Sequence, residues 1–525
     1  MSQTVFTTVT FSPIQGFIEK SRKLRDLYGS SFILSYLARS ICDRAEAQGK
    51  EVVSPAIINV VQGTPNQIII RGNFPEGEAC AIFHQTWKTI VNTCREWLEN
   101  KLSSPEGYRW RQEWDAWGNH AWEFFWAQGE TIGEARQALN EIKRSRQWTG
   151  INWMGESSTL SGSDAIAHPT MGKFHPQLSS YGEESKKIGQ FYQDLSALVT
   201  ESIVDPSEQL SIPELIKRLI TLNPIKDRLK AVAIDIPDVE PPASFRDLNR
   251  FQEKRWTGWF QGDGDRIGEY LKRLNQAGDN EAQILHQFSR SMLDWGKDFL
   301  QPSVKNSLGR VIYAGGDDFL GVFYDDYNTN AEKQAFLSHC LEWFYRFNSD
   351  VWGKHGQKIT VSVGFVWAGG SVPQRDVLQH CREAEQTAKK CGRDRLAIRI
   401  LFNSGNYLEW ACPWWFLPNV MTQYRDRAKL AARGDRASEQ NWTHFYNDVA
   451  TLEARHAFDN NQQIALGLFE VYFREENRHL LQQHLWTTKT HTGILGASSA
   501  EVTNPQQALN NWIINLAKVG FHLCQ

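Results

Sequence analysis

Apolar positions along the chain follow two rhythms in turn. Residues 3–11, QTVFTTVTF, are β-branched and aromatic and predict a strand. Ser12-Pro13-Ile14-Gln15 then reads as a helix start, with Ser12 as N-cap, Pro13 at the first helical position and Gln15 completing a capping box. Phe17, Ser21, Leu24 and Tyr28 recur at helical spacing, and the pattern runs on to about Gly49. Two strand-like segments follow, EVVSPAIINVV and NQIIIRG, with a turn at Gly63-Thr64-Pro65. An amphipathic helix over about residues 77–102 leads to AWEFFWAQ, where Trp122, Phe124 and Trp126 alternate as in a strand.

Residues from about 146 to 245 change character. They are polar and Ser/Gly-rich around GESSTLSGSD, then mostly helical from Glu183 to Leu229, and end in the linker-like IDIPDVEPPASF. The first order then recurs. GWFQGD reads as a strand, and DNEAQILHQFSRSMLDWGKDFL as a helix with Ile284, Phe288 and Met292 on one stripe. VIYA and FLGVFY are strands joined by Gly315-Gly316-Asp317-Asp318. A helix spans about Ala331 to Trp352, and KITVSVGFVWA alternates Ile359, Val361, Val363 and Phe365 in period two. One more helix (Pro373–Lys390) and a strand, RLAIRIL, finish the unit, and the text is helical and Trp/Tyr-rich from about Asn406 to the end.

Each run has the order β-α-β-β-α-β, the ferredoxin-like or palm arrangement. The expected fold class is therefore α+β: two ferredoxin-like palm domains plus two mainly helical domains. The boundaries fall at 1–145 for the first, degenerate palm, 146–245 for the helical insertion and linker, 246–405 for the second palm, and 406–525 for the C-terminal helices.

Composition narrows the function classes. A chain of 525 residues with 41% hydrophobic and 12% aromatic content has ample core, and most of its 21 Trp must be buried or at interfaces. A net charge of -3 gives no global basic field, so any contact with a polyanion must be local. The eight Cys are scattered and include no CxxC pair, which argues against a zinc knuckle or disulfide framework and fits a reducing cytosol. No apolar run approaches a membrane span, and the N-terminus lacks the order of a signal peptide. The expectation is a cytoplasmic protein with no membrane contact.

The hairpin VIYAGGDDFLGVF carries the chemistry. Glycine accepts the positive φ of a tight turn, which explains Gly315 and Gly316. A turn does not call for a second carboxylate beside the first. Adjacent carboxylates repel, so Asp317 and Asp318 belong where a cation neutralises them. Asp263, in GDGDRIG, ends the strand that neighbours this hairpin in a palm. Three carboxylates would then converge on one sheet rim, a hard oxygen set suited to Mg²⁺ or Mn²⁺ bound together with substrate phosphates. Asp265 is either a further ligand or a helix cap. The opposing reading of the whole motif is a turn plus an N-cap.

AKKCGRD places Lys389 at a helix end, where it either meets a triphosphate or serves the helix dipole. In SPIQGFIEKSRKLRDLYGSS, the cations Lys20, Arg22, Lys23 and Arg25 read on charge pattern as a solvated face. Trp110, Trp114 and Trp117 read as core packing or a subunit interface in preference to base stacking. The 14 His include no HExxH and no His-Asp dipeptide, and there is no nucleophile elbow and no P-loop.

Asp263-Gly264-Asp265, Gly315-Gly316-Asp317-Asp318 and the Ala388-Lys389…Gly392-Arg393 tail together resemble a GGDEF-type nucleotidyl cyclase palm. FSPIQGFIEKSRKLRDLYGSSFILSYLA resembles the opening of the large palm-bearing subunit of type III CRISPR effector complexes of the Cmr (III-B-like) kind. The resemblance covers essentially the whole chain. It implies synthesis of cyclic oligoadenylate from ATP, the 3′-hydroxyl of one ATP attacking the α-phosphate of another. Asp263, Asp317 and Asp318 would hold two Mg²⁺ or Mn²⁺ ions, and Gly315, Gly316 and Lys389 would meet triphosphate. A second ATP would lie against the first palm, where Gln15, Arg22, Arg25 and Ser30 are candidates. The implied partners are guide RNA, target RNA, the subunit holding the guide's 5′ end, and small helical subunits. The chain departs from the family twice. It has no HD pair, so no HD-type DNase is expected, and GESSTLSG stands where many members carry a zinc-binding Cys cluster, so no zinc is expected. Two other functions remain open: a catalytically silent scaffold of the guide-RNA complex, and a stand-alone GGDEF-like cyclic dinucleotide synthase.

Overall fold

The computed structural model describes residues 5–56, 66–102, 108–145, 153, 155–173, 181–200, 203–233, 255–275, 281–305, 309–325, 327–427, 441–459 and 461–524. The expected turn at Gly63-Thr64-Pro65 and the linker IDIPDVEPPASF lie outside them. The chain divides into two compact units, residues 1–249 with 274–293, and residues 250–273 with 294–525.

Unit 1 is built on β1 (Phe6–Ser12), α1 (Ile14–Glu19), α2 (Leu24–Ala47), β2 (Glu51–Ser54), β3 (Ile68–Arg71), α3 (Glu76–Lys101), α4 (Tyr108–His120), β4 (Glu123–Gly129) and α5 (Ile132–Arg144). The strands form one antiparallel sheet in the order β2-β3-β1-β4, the ferredoxin-like order. The insertion adds α6 (Tyr181–Val199), α7 (Ile212–Leu219) and α8 (Asn223–Ala233). Their apolar residues join those of α2, α3 and α4 in a single core that includes Trp87, Trp110, Trp114 and Trp122. The tryptophan stripe of α4 is thus core.

The start of the first helix differs from expectation. Ser12–Pro13 is a cis peptide, and α1 begins at Ile14 after Pro13, with no side-chain cap. The helix also does not run unbroken to Gly49. It stops at Glu19 and restarts at Leu24, because the Asp26 carboxylate accepts from the backbone N–H groups of Arg22 (2.8 Å) and Lys23 (2.9 Å) and so starts a new helix.

Unit 2 begins with β5 (Thr257–Gly264) and, up to Arg273, α9 (Ile267–Asn275). The helix α10 (Glu281–Trp295) belongs to unit 1 up to Leu293, with Met292 fully buried. Unit 2 resumes with β6 (Gly309–Ala314), β7 (Asp318–Phe323), α11 (Asn330–Arg346), β8 (Val361–Ala368), α12 (Gln374–Lys390), β9 (Arg395–Leu401) and β10 (Tyr407–Pro413), then α13 (Trp442–Ala454), α14 (Gln462–Gln483) and α15 (Pro505–Leu523). Its six strands run β10-β9-β8-β5-β7-β6, so β8-β5-β7-β6 repeats the order of the first sheet. β9 extends it, parallel to β8, and β10 closes that edge antiparallel.

The expected alternation in β8 holds in sequence, but every residue of the strand is buried. Both faces are covered because Gly364 has no side chain. A Cβ there would stand 2.3 Å from the Glu385 backbone nitrogen, so α12 lies directly against the strand.

Candidate active site

The candidate site sits on the rim of the second sheet, where β5 ends and β7 begins. Antiparallel pairing sets Asp263 directly opposite Asp318. Residues so placed have Cβ atoms about 5 Å apart. Asp317 closes the hairpin one residue earlier. Gly316 takes a φ of 146°, which favours glycine, and the Gly315 N–H donates to the Asp318 carbonyl (3.2 Å). On the other side, the Gly264 N–H donates to the Asp317 carbonyl at 3.1 Å. A Cβ on Gly264 would lie 2.8 Å from Ile267, so glycine lets the loop after β5 hug the hairpin.

The electrostatics follow from this crowding. Burial, then the charge of Asp318, then that of Asp263 hold the Asp317 carboxyl well above the usual carboxylate range. Asp318 is also raised, by surrounding protein first and by Asp263 second. Asp318 opens to solvent at the rim, so water screens part of the first effect, and repulsion from the neighbouring acid is the more robust cause. Tyr313 on the adjacent strand β6 acts on Asp318 through its hydroxyl and opposes the shift.

Lys389, in the last turn of α12, reaches this rim. Its ammonium forms an ion pair with Asp263 and lies 2.6 Å from Glu385 Oε1, one turn back on the same helix. Burial disfavours its charge, but the hydrogen bonds and charges of these two acids outweigh that and raise its pKa. Glu385 is buried and was not singled out from the sequence. The signal was its i, i+4 spacing to Lys389.

Asp265 is neither a cap nor a rim ligand. It is buried, and it accepts from the Thr360 hydroxyl (2.8 Å), the Ser362 hydroxyl (2.7 Å) and the Asp394 N–H (3.0 Å). It therefore ties the end of β5 to β8 and to the loop after α12. That loop holds Arg393 and Asp394 at positive φ (66° and 50°).

The four candidates in the first palm lie in unit 1. Gln15 is exposed on α1. Arg25 is buried and donates to the Thr221 hydroxyl at 2.9 Å, and Ser30 is buried and donates to the Asp26 carbonyl at 2.7 Å. Arg22 approaches Glu208 at 4.0 Å. The cations of this stretch form only in part the solvated face that their pattern predicts: Arg22 keeps solvent access, whereas Lys23 is mostly covered and Arg25 is buried. Lys20 pairs with Asp164 at 2.9 Å and Lys23 with Glu208 at 3.2 Å. These acids belong to the insertion, which the local pattern does not foreshadow.

Among the described residues, no group of three or more His, Cys, Asp or Glu side chains stands in position to hold a metal ion. The donor set nevertheless fits a divalent cation. Asp317 and Asp318 are crowded oxygen donors whose raised proton affinity reports a shortage of positive charge, and Asp263 stands opposite them. The present counter-charge comes from Lys389.

The fold and site define a protein with two palms, the second of which bears an acidic rim. The model described as Cas10/Cmr2, second palm domain, matches residues 257–397, and that of CRISPR-associated protein Cmr2, N-terminal, matches residues 6–118. The chain is similar to Cas10/Cmr2 proteins over these two stretches, one in each of its palms. A chain of the type III-B Cmr-beta cryo-EM structure in the apo state matches 98% of this chain over 82% of its own length, at 11% identity and a TM-score of 0.56, a likeness of fold. The apo Csm1-Csm4 cassette matches 100% of the chain over 70% of its own, at 15% identity and a TM-score of 0.48. The same cassette in complex with cA4 matches at 14% identity and a TM-score of 0.42. No curated protein matches the sequence. Among the described residues no helix is long and apolar enough to cross a membrane.

Proposed function

We propose that the chain is the large subunit of an RNA-guided type III CRISPR complex and that its second palm makes cyclic oligoadenylate from ATP when target RNA pairs with the guide. The observation that carries this reading is the register of β5 against β7, which sets Asp263 opposite Asp318 beside Asp317, with Lys389 at the same rim. The 3′-hydroxyl oxygen of one ATP bonds to the α-phosphorus of the next. The bond from that phosphorus to the β-phosphate oxygen breaks, pyrophosphate leaves, and the hydroxyl proton passes to a carboxylate of the site.

Asp263, Asp317 and Asp318 are the residues that would hold Mg²⁺ or Mn²⁺, which supplies charge neutralisation at the attacking and leaving oxygens. Gly315 and Gly316 let phosphate approach the backbone. Lys389 binds triphosphate as a point charge. Gln15 and Arg22, which keep solvent access on the first palm, are the better placed of the four candidates for a second ATP. The partners are guide and target RNA, the subunit at the guide's 5′ end, and small helical subunits.

The test is to mix the assembled complex, guide and matching RNA with ATP and Mg²⁺ or Mn²⁺, and to look for cyclic oligoadenylates by chromatography. Wild type should make them and Asp317→Ala/Asp318→Ala should not. Absence of product from wild type, or equal product from the double variant, removes the synthase. The contact between Lys389 and Asp263 favours one other reading, a silent scaffold, and the same assay decides between them.

A further inference from the structure

The rim is closed by its own lysine. Gly364 lets α12 press on β8, and this places Glu385 and Lys389 over the end of β5. The Lys389 ammonium then has two partners of different kinds. Glu385 is buried, with a side chain only 6% exposed, and lies on the same helix, so it moves with the lysine. Asp263 is 31% exposed, lies on another element, and faces the other two rim acids. One partner is an anchor and the other can be exchanged.

We propose that Lys389 is an internal counter-ion that closes Asp263 to divalent cations until a polyphosphate draws the ammonium away, with Glu385 as the positioning residue that keeps it within reach. The proposal rests on the reading of Asp263, Asp317 and Asp318 as cation ligands and adds how that site is held shut. A single carboxylate competes poorly with a triphosphate for one ammonium, because the triphosphate carries several negative charges in the same space. When Lys389 swings to phosphate, Asp263 joins Asp317 and Asp318, and three oxygen donors face the cation together. An empty site therefore holds metal weakly, and the substrate itself completes it. The buried Glu385 carboxylate keeps the released lysine near the rim, because leaving it behind would strand an unpaired acid in the interior.

The test needs no turnover. Mn²⁺ binding to the full chain without nucleotide would be followed by electron paramagnetic resonance in wild type, Lys389→Met, Lys389→Arg, Arg393→Met and Asp317→Asn/Asp318→Asn. Circular dichroism would confirm that each variant is folded. Lys389→Met should bind Mn²⁺ about tenfold more tightly than wild type, within the range of ordinary site-to-site coupling. Lys389→Arg and Arg393→Met should stay near wild type, the first because it keeps the counter-ion and the second because it removes a nearby charge that does not touch Asp263. Equal Mn²⁺ affinity in Lys389→Met and wild type would overturn the proposal, and so would equal tightening by Arg393→Met, which would reduce the effect to a general field. If the double aspartate variant bound Mn²⁺ as well as wild type does, the cation-site reading would fall too. If only the double variant lost binding, that reading would stand and the counter-ion alone would fail.

Discussion

Asp263 and Asp318 occupy directly opposed positions on neighbouring antiparallel strands, although 54 residues of sequence run between them. Like charges so placed destabilise a sheet, and the chain tolerates them at a rim where a counter-charge can enter.

This crowding gives a pH dependence of defined sign. The folded Asp317 and Asp318 carboxyls are held above the ordinary aspartate value, so the native state binds more protons than the unfolded state does. Stability without divalent ions therefore falls as pH rises from near 4 toward neutral. Thermal melts in EDTA should show this slope in wild type, and Asp317→Asn/Asp318→Asn should flatten it. Added Mn²⁺ should raise the melting temperature more at pH 7.5 than at pH 5.5, because protons and metal compete for the same oxygens.

Tyr313 supports the rim from the adjacent strand. Its hydroxyl lowers the proton affinity of Asp318, and a hydrogen bond formed to that charged group would contribute about 1.5–3 kcal/mol. Tyr313→Phe should raise the proton affinity of Asp318 and lower cyclic oligoadenylate synthesis by about tenfold or more, since ~1.4 kcal/mol is a factor of ten in rate. The pH–rate profile should shift toward higher pH, which loss of packing would not produce.

Gly364 controls the height of α12 above the sheet. In Gly364→Ala the new Cβ would meet Glu385 N at 2.3 Å and Cys381 O at 2.6 Å, both backbone atoms. The helix must lift, at a cost of about 1–3 kcal/mol in stability for an overpacked core. Lys389 leaves the rim with it, so synthesis should fall further than denaturant-measured stability accounts for.

In unit 1, Arg218 is fully buried between Asp26 (2.7 Å) and Glu208. Burial pushes the Asp26 pKa up, but the charge and hydrogen bonds of Arg218 overcome this and hold it below the ordinary value. Arg218→Met strips the buried Asp26 of its guanidinium and leaves Glu208 only Lys23 and Arg22, and should destabilise unit 1 by about 3–5 kcal/mol. Urea denaturation followed by tryptophan fluorescence would measure it, since Trp87, Trp110 and Trp114 lie in that core. A loss under about 1 kcal/mol would mean that the network is worth no more than surface pairs.

Both sheets were legible from the apolar rhythm. Strand alternation, helical spacing and the glycine turn are local properties, and the order β-α-β-β-α-β leaves few ways to pair the strands. The same logic sets Asp263 beside the Asp317–Asp318 hairpin, and the strand register agrees. Local text misled where a distant partner intervened. The helix expected from Ser12 to Gly49 breaks because Asp26 captures two backbone N–H groups. The cations after Pro13 look solvent-facing in sequence, yet Lys20 and Lys23 meet acids of the insertion roughly 140 to 185 residues away.

What the sequence by itself determined is therefore the pair of palms and the acidic turn, because side-chain periodicity and backbone φ preference act over a few residues. Only the tertiary structure decided that Lys389 rests on Asp263 with Glu385 behind it, and that Tyr313 braces Asp318. The lysine's contacts depend on how closely its helix can approach a strand, and the missing side chain of Gly364 sets that distance.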